Sequence, residues 1–349
     1  MFAKKQLIKF FLGLVAVFLV SGAISPINAS AAVKPYNYTR IFYYQDSPSA
    51  WRSLFYYHRY IDVVAPKLYA FNDAGKLICD ASSTNAAIVA FARQNKIKVM
   101  PLVTNGDYSQ VSYQAILDNQ ATQDSAIASL VAEAKQYGYW GYQIDFEQMD
   151  ASYKDKYSAF IKNAAAAMKR NGLVLSVAVV AKTSDNPADY PNDLWQKLIG
   201  AYDYSALAAS ADFISVMAYD NPSSKGPIAG YPWLQKVINY SLKSIPRNKL
   251  SLGIPLYYWQ WNDKTGKLVG IGGRNGIYLA LKKHRVAYNY SVKQEAPYLT
   301  YRKSAANYTI WYENARSIEE KISLIKKYRL NGFSAWALGL ELPNIYNAL

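Results

Sequence analysis

Eight short runs of apolar and β-branched residues recur along this chain with helical segments between them, and that alternation limits the fold more than any other feature. The runs are 40–44 (RIFYY), 61–71 (IDVVAPKLYAF), 98–105 (KVMPLVTN), 141–147 (GYQIDFE), 174–182 (VLSVAVVAK), 212–220 (DFISVMAYD), 250–259 (LSLGIPLYYW) and 332–340 (GFSAWALGL). Segments 85–96, 122–137, 153–171, 233–244 and 317–331 read as helices, and Gly172 and Gly332 follow two of them as stops. Strand–helix alternation implies parallel pairing. Eight repeats imply an α/β fold closed as a (β/α)8 TIM barrel. An open doubly wound sheet would usually carry a glycine-rich nucleotide turn after an early strand. Here Gly270, Gly272 and Gly273 come late and fall in a loop.

One interval is too long. Leu250 to Gly332 spans 82 residues, against 33 to 43 between most successive strand starts. The excess predicts a small α+β insertion after strand seven, about 262–313, with a helix at Gly276–His284 and strands near Ala287–Tyr290 and Tyr308–Trp311. Loops after barrel strands build the catalytic rim, so this insertion is placed to wall a groove.

The first 31 residues form a separate unit. Lys4, Lys5 and Lys9 precede an apolar run from Phe10 to Ile24, and Ala29-Ser30-Ala31 offers a small-residue cleavage site. That pattern is a secretory signal peptide. Its core of about 15 residues is short of the roughly 20 that a spanning helix needs. The remaining 32–349 is expected to be one secreted barrel, extracellular or wall-associated, free of the membrane and monomeric. Of the net charge of +15, three lysines belong to the leader, which leaves +12. A basic exported protein suits an anionic cell wall. Without a dense Lys/Arg run or a DNA-binding motif, nucleic acid is not an expected partner.

Cys79 is alone, so no internal disulfide can form. His58 and His284 give neither metal-ligand spacing nor a Ser-His-Asp set, and no metal or other cofactor is expected. Chemistry must therefore run on carboxylates, tyrosines and amides. Strand four offers them: alternation puts Tyr142, Ile144 and Phe146 on one face and Gln143, Asp145 and Glu147 on the other. A parallel sheet is usually buried on both faces. Two carboxylates on one buried face are costly and call for a function. Other strand ends carry Met217, Tyr219 and Asp220, then Tyr257, Tyr258 and Trp259, then Trp336 with Glu341 beyond it. Glu313 and Arg316, just after the insertion, either line the groove or form a local salt bridge, and the salt bridge is the favoured reading.

QIDFE at 143–147 resembles the Asp-x-Asp-x-Glu signature of glycoside hydrolase family 18, the chitinase family. VMAYD at 216–220 resembles that family's Met-x-Tyr-Asp strand, and Trp336 matches its tryptophan floor on the last strand. The stretches at 253–259, 310–317 and 332–339 look most like the spore-cortex and cell-wall branch, which acts on peptidoglycan as N-acetylglucosaminidases. The resemblance implies substrate-assisted hydrolysis next to N-acetylglucosamine. Glu147 would be the acid, Asp145 would orient the acetamido group, Tyr219 would hold its oxygen, and Trp336 would stack under the ring. Gln143, Met217, Asp220, Tyr257 and Trp259 are further substrate-binding candidates. Gln143 stands where the family has an aspartate; it could hydrogen-bond Asp145, and a shifted pH profile is expected. The substrate is expected to be peptidoglycan, with chitin as the alternative, or a sugar bound without turnover.

Overall fold

The computed structural model describes residues 36–79, 82–191, 193–222 and 225–349. The expected leader, 1–31, lies outside the described residues. Among these residues no helix is long and apolar enough to cross a membrane.

The eight runs form eight parallel strands that close into a barrel. Strand one, Thr39–Tyr44, pairs with strand two, Val63–Phe71, on one side and with strand eight, Gly332–Trp336, on the other. The ring continues through strand three (Leu102–Thr104, with Lys98–Val99 also against strand two), strand four (Gly141–Asp145), strand five (Val174–Val180), strand six (Phe213–Met217) and strand seven (Leu250–Pro255).

Period-two alternation sorts the side chains. Ile41 and Tyr43 join an inner cluster with Val63, Ala65, Met100 and Leu102, while Phe42 and Tyr44 face the helical layer. On strand four, Phe146 packs outward on Tyr157 and Phe160 of helix Lys154–Arg170, at ring separations of 5.8 and 5.6 Å. The opposite face enters a barrel interior that is polar in its middle. Gln143, Ser176, Ser215, Ser251 and Ser334 are all buried there. Gln143 Oε1 accepts from Tyr43 OH at 2.6 Å, its Nε2 donates to Ser176 Oγ at 2.8 Å, and Ser251 and Ser334 share a hydrogen at 2.8 Å. Each such group left unpaired would cost about 1–3 kcal/mol, so the interior works only as a set.

The helices carry explicit stops and starts. Asn119 caps helix Gln120–Tyr137 by accepting from Thr122 N, and Gly138 ends it at φ 67°. Asn314 and Ser317 form a reciprocal capping box on helix Ala315–Tyr328.

The insertion is a five-stranded antiparallel sheet in the order Leu268–Gly272, Tyr258–Asn262, Ala306–Trp311, Ala296–Lys303, Val286–Ser291. Helix Arg274–Lys283 covers one face, packing Ile277 and Ala280 on Leu299, Tyr301 and Ile310. The sheet starts earlier than the expected residue 262. Run 250–259 is two strands, not one. After Pro255 the Leu256 N–H bonds to Trp336 O at 2.7 Å, and Trp259 then pairs with Trp311 and Ile271 in the insertion. Glu313 and Arg316 each form a local salt bridge, but not with each other: Glu313 pairs with Lys321 Nζ at 2.8 Å, and Arg316 pairs with Glu295 at 4.0 Å while lying 3.7 Å over the Tyr290 ring. Neither lines the cavity at the barrel mouth.

Candidate active site

At the C-terminal ends of the strands lies a cavity of about 510 Å³. Asp145, Glu147, Met217, Tyr219, Asp220, Tyr257 and Trp336 all line it, so strands four, six, seven and eight converge on one space. Asp145 is the last residue of strand four and is 3% exposed. Glu147 lies two residues further on, half-buried, where the chain has left the sheet.

Room for Tyr219 comes from strand seven. A Cβ at Gly253 would lie 2.5 Å from Val216 O and 3.0 Å from Tyr219 Cε1, so a side chain there would push the phenol out of place. Asp220 holds φ 56° at the cavity mouth and accepts from Tyr257 OH at 2.5 Å. Trp336, joined to Ala337 by a cis peptide bond, lies 5.3 Å from the Tyr43 ring.

Two predicted contacts are not brought to the cavity. Gln143 is fully buried below it and spends its amide on Tyr43 and Ser176. It makes no hydrogen bond to Asp145 and acts as a strut of the polar interior. Trp259 belongs to the insertion sheet and packs behind Tyr257 with Ile228, its Nε1 buried without a hydrogen-bond partner. Conversely, the cavity includes Tyr43 and Tyr108, which no motif signalled. Tyr108, in the loop after strand three, lines the cavity with φ 60°. Lys67 Nζ sits 5.1 Å from the Tyr108 ring. Asn105 bonds to the main chain of Glu147.

The electrostatics follow from burial. Desolvation first, then the neighbouring Glu147 charge, push the Asp145 carboxyl well above its ordinary 3.8, against the pull of Lys67. Asp145 Oδ1 is buried and has no hydrogen-bond partner. Desolvation also raises Glu147 above its ordinary 4.5, while the Tyr108 hydroxyl and Lys67 hold it down and Asp220 adds to the rise. Burial likewise keeps the Tyr219 phenol protonated, as a donor. The site thus offers a carboxyl that keeps its proton above the usual carboxylate range, an unsatisfied acceptor beside it, a phenolic donor and an indole face. Such a set can protonate a leaving oxygen and hold a polar group beside it.

Residues 40–341 match the family model of glycosyl hydrolases family 18. The chain belongs to that family. The protein is therefore a glycoside hydrolase on a TIM barrel with an insertion after strand seven. It is 28% identical over 312 residues to the uncharacterized glycosylase YvbX of Bacillus subtilis, covering 86% of this chain and 87% of that one. It is 28% identical to the cortical fragment-lytic enzyme of Bacillus cereus over 76% of this chain and 62% of the other, so it spans under two thirds of that enzyme's length. Among solved structures, the chitinase of Chromobacterium violaceum superposes with a TM-score of 0.80 at 25% identity, over 89% of this chain and 98% of the other. The Bacillus cereus spore cortex-lytic enzyme SleL gives 0.78 at 25% identity, over 89% and 73%. The enzyme is thus related both to cortex-lytic enzymes and to chitinases.

Proposed function

We propose that this enzyme is exported and hydrolyses peptidoglycan next to N-acetylglucosamine, with retention, using the substrate's own 2-acetamido group as nucleophile. The observation that carries the reading is the buried, unpartnered Asp145 Oδ1 beside Glu147 in a cavity shared with Tyr219 and Trp336. An acetamido N–H is a donor that would satisfy that oxygen. Glu147 gives its proton to the glycosidic oxygen as the C1–O bond breaks, and the acetamido oxygen bonds to C1, forming an oxazolinium ion. Water then attacks C1, Glu147 takes its proton, and the C1–acetamido bond opens. Asp145 steadies the positive ring, Tyr219 donates to the acetamido oxygen, and Trp336 stacks beneath the sugar. One carboxyl serves as acid and then base, which suits a value raised above 4.5.

Peptidoglycan is favoured over chitin by the cortical fragment-lytic relatives and by the +12 of residues 32–349, which suits an anionic wall. The reading as a bound sugar without turnover is disfavoured by an intact Glu147. The test is digestion of purified peptidoglycan and of N-acetylglucosamine oligomers, with mass spectrometry of the new reducing ends. The reading expects N-acetylglucosamine at the new ends of peptidoglycan fragments. Muramic acid ends, or no cleavage, would overturn it.

A further inference from the structure

Strand four stops one turn of pleat too soon for its own chemistry. Its pairing with strand three ends at Thr104–Asp145, yet Glu147 lies two residues beyond. A residue outside the sheet has no ladder to fix its main chain, and a catalytic group must be held to a fraction of an ångström. The chain after Asp145 is instead held by side chains. Phe146 O accepts from Tyr202 OH at 2.6 Å, and Asp150 N donates to Tyr113 OH at 3.2 Å. Glu147 itself is held at both of its main-chain groups by one residue. Its N–H donates to Asn105 Oδ1 at 2.9 Å, and its carbonyl accepts from Asn105 Nδ2 at 2.9 Å.

We infer that Asn105 is a positioning residue for the catalytic acid: its amide continues the strand three–strand four ladder by one rung and sets where Glu147 stands. An amide is the side chain that can both donate and accept at such a rung. Asn105 is fully buried, so water does not compete for either bond. Its own backbone is fixed by the next residue. Gly106 turns at φ 65°, and a Cβ there would lie 2.9 Å from Ser112 Oγ and 3.2 Å from Phe71 O. The same loop carries Tyr108 into the cavity. One loop therefore holds the acid through its main chain and reaches its side chain.

This rests on Glu147 being the acid. Asn105→Ala, Tyr113→Phe and wild type are compared on a soluble N-acetylglucosamine oligomer, with thermal unfolding recorded for each. Tyr113→Phe is the structural control, because it loses one bond to the same segment at Asp150. Asn105→Ala is expected to lower kcat about 10- to 100-fold with KM within about threefold. Tyr113→Phe is expected to keep kcat within about twofold. If the alanine variant does not fold, Asn105→Ser, which leaves space for a water, is read the same way. An unchanged kcat at position 105, an equal fall in Tyr113→Phe, or a loss carried wholly by KM would overturn the inference alone. No turnover by wild type on the oligomer or on peptidoglycan would remove the reading of Glu147 and the inference with it.

Discussion

Two kinds of buried carboxylate occur in this barrel, and they are satisfied in opposite ways. Glu313, at the base of the insertion, takes Lys321 Nζ at 2.8 Å and Ser317 Oγ at 2.6 Å on one oxygen. Glu341, after strand eight, takes Ser53, the Gly339 N–H at 2.6 Å and Arg274 at 3.6 Å. Asp145 and Glu147 have no ion-pair partner among the described residues; Lys67 acts on them only through space. The first two tie segments together and face no cavity chemistry. Burial raises all four carboxyls, but Asp145 is raised further by the Glu147 charge and Glu147 by Asp220, with no counterion beside either. A buried oxygen without a hydrogen-bond partner occurs in both sets, at Glu313 Oε1 and at Asp145 Oδ1, so the missing counterion is what separates them. A buried charge with its counterion in place speaks for architecture, and one left without speaks for a ligand yet to come.

The comparison breaks first at Glu147. Glu147→Gln removes the proton and keeps the shape, so kcat should fall about 10³-fold or more while sugar binding persists. Steady-state turnover and calorimetric binding of an N-acetylglucosamine oligomer check both halves. Next is the structural pair: Lys321→Ala strands Glu313 and should cost about 3–5 kcal/mol in denaturant unfolding. It should leave kcat nearly unchanged, because the pair lies outside the cavity. Asp145→Asn should lower kcat about 10²-fold yet raise stability at neutral pH.

The sign of that last effect follows from linkage. A carboxyl raised in the folded state binds its proton more tightly there than in the unfolded chain. Its contribution is therefore most favourable below the ordinary value of 3.8 and is lost as pH rises toward the folded value. Asp145→Asn should flatten that fall, seen as a smaller drop in unfolding free energy between about pH 4 and pH 7. The smallest and broadest effect concerns charge. If the +12 of residues 32–349 holds the enzyme on its wall, retention in a sedimentation assay should weaken steeply with salt, and retention unchanged at high salt would break that reading.

Much of this was legible because alternation is a local signal. The faces of strand four follow from period two, and the insertion announces itself as an interval twice the usual length. What alternation cannot give is depth. Gln143 shares a face with Asp145, but one step down the barrel it meets Tyr43 and Ser176 instead of a ligand. Nor could the run through Tyr257 and Trp259 reveal a break, because an aromatic stretch reads the same in the barrel and in the insertion sheet. Asn105 reads only as the last residue of run 98–105, and Tyr108 lies in the loop beyond it, so no periodic signal marks either for the site. Only the end of the strand three pairing and the turn at Gly106 place them. That Glu313 serves a local salt bridge was legible from its place beside a helix start, but its partner was not: Lys321, two turns along that helix, takes the place expected for Arg316.

The central claim is that the substrate supplies the nucleophile. Its most direct test is the relative kcat/KM on two matched oligomers, one N-acetylated and one carrying a free 2-amino or 2-hydroxyl group on the sugar that is cleaved. The account predicts cleavage of the first and essentially none of the second. Comparable cleavage of both would contradict it.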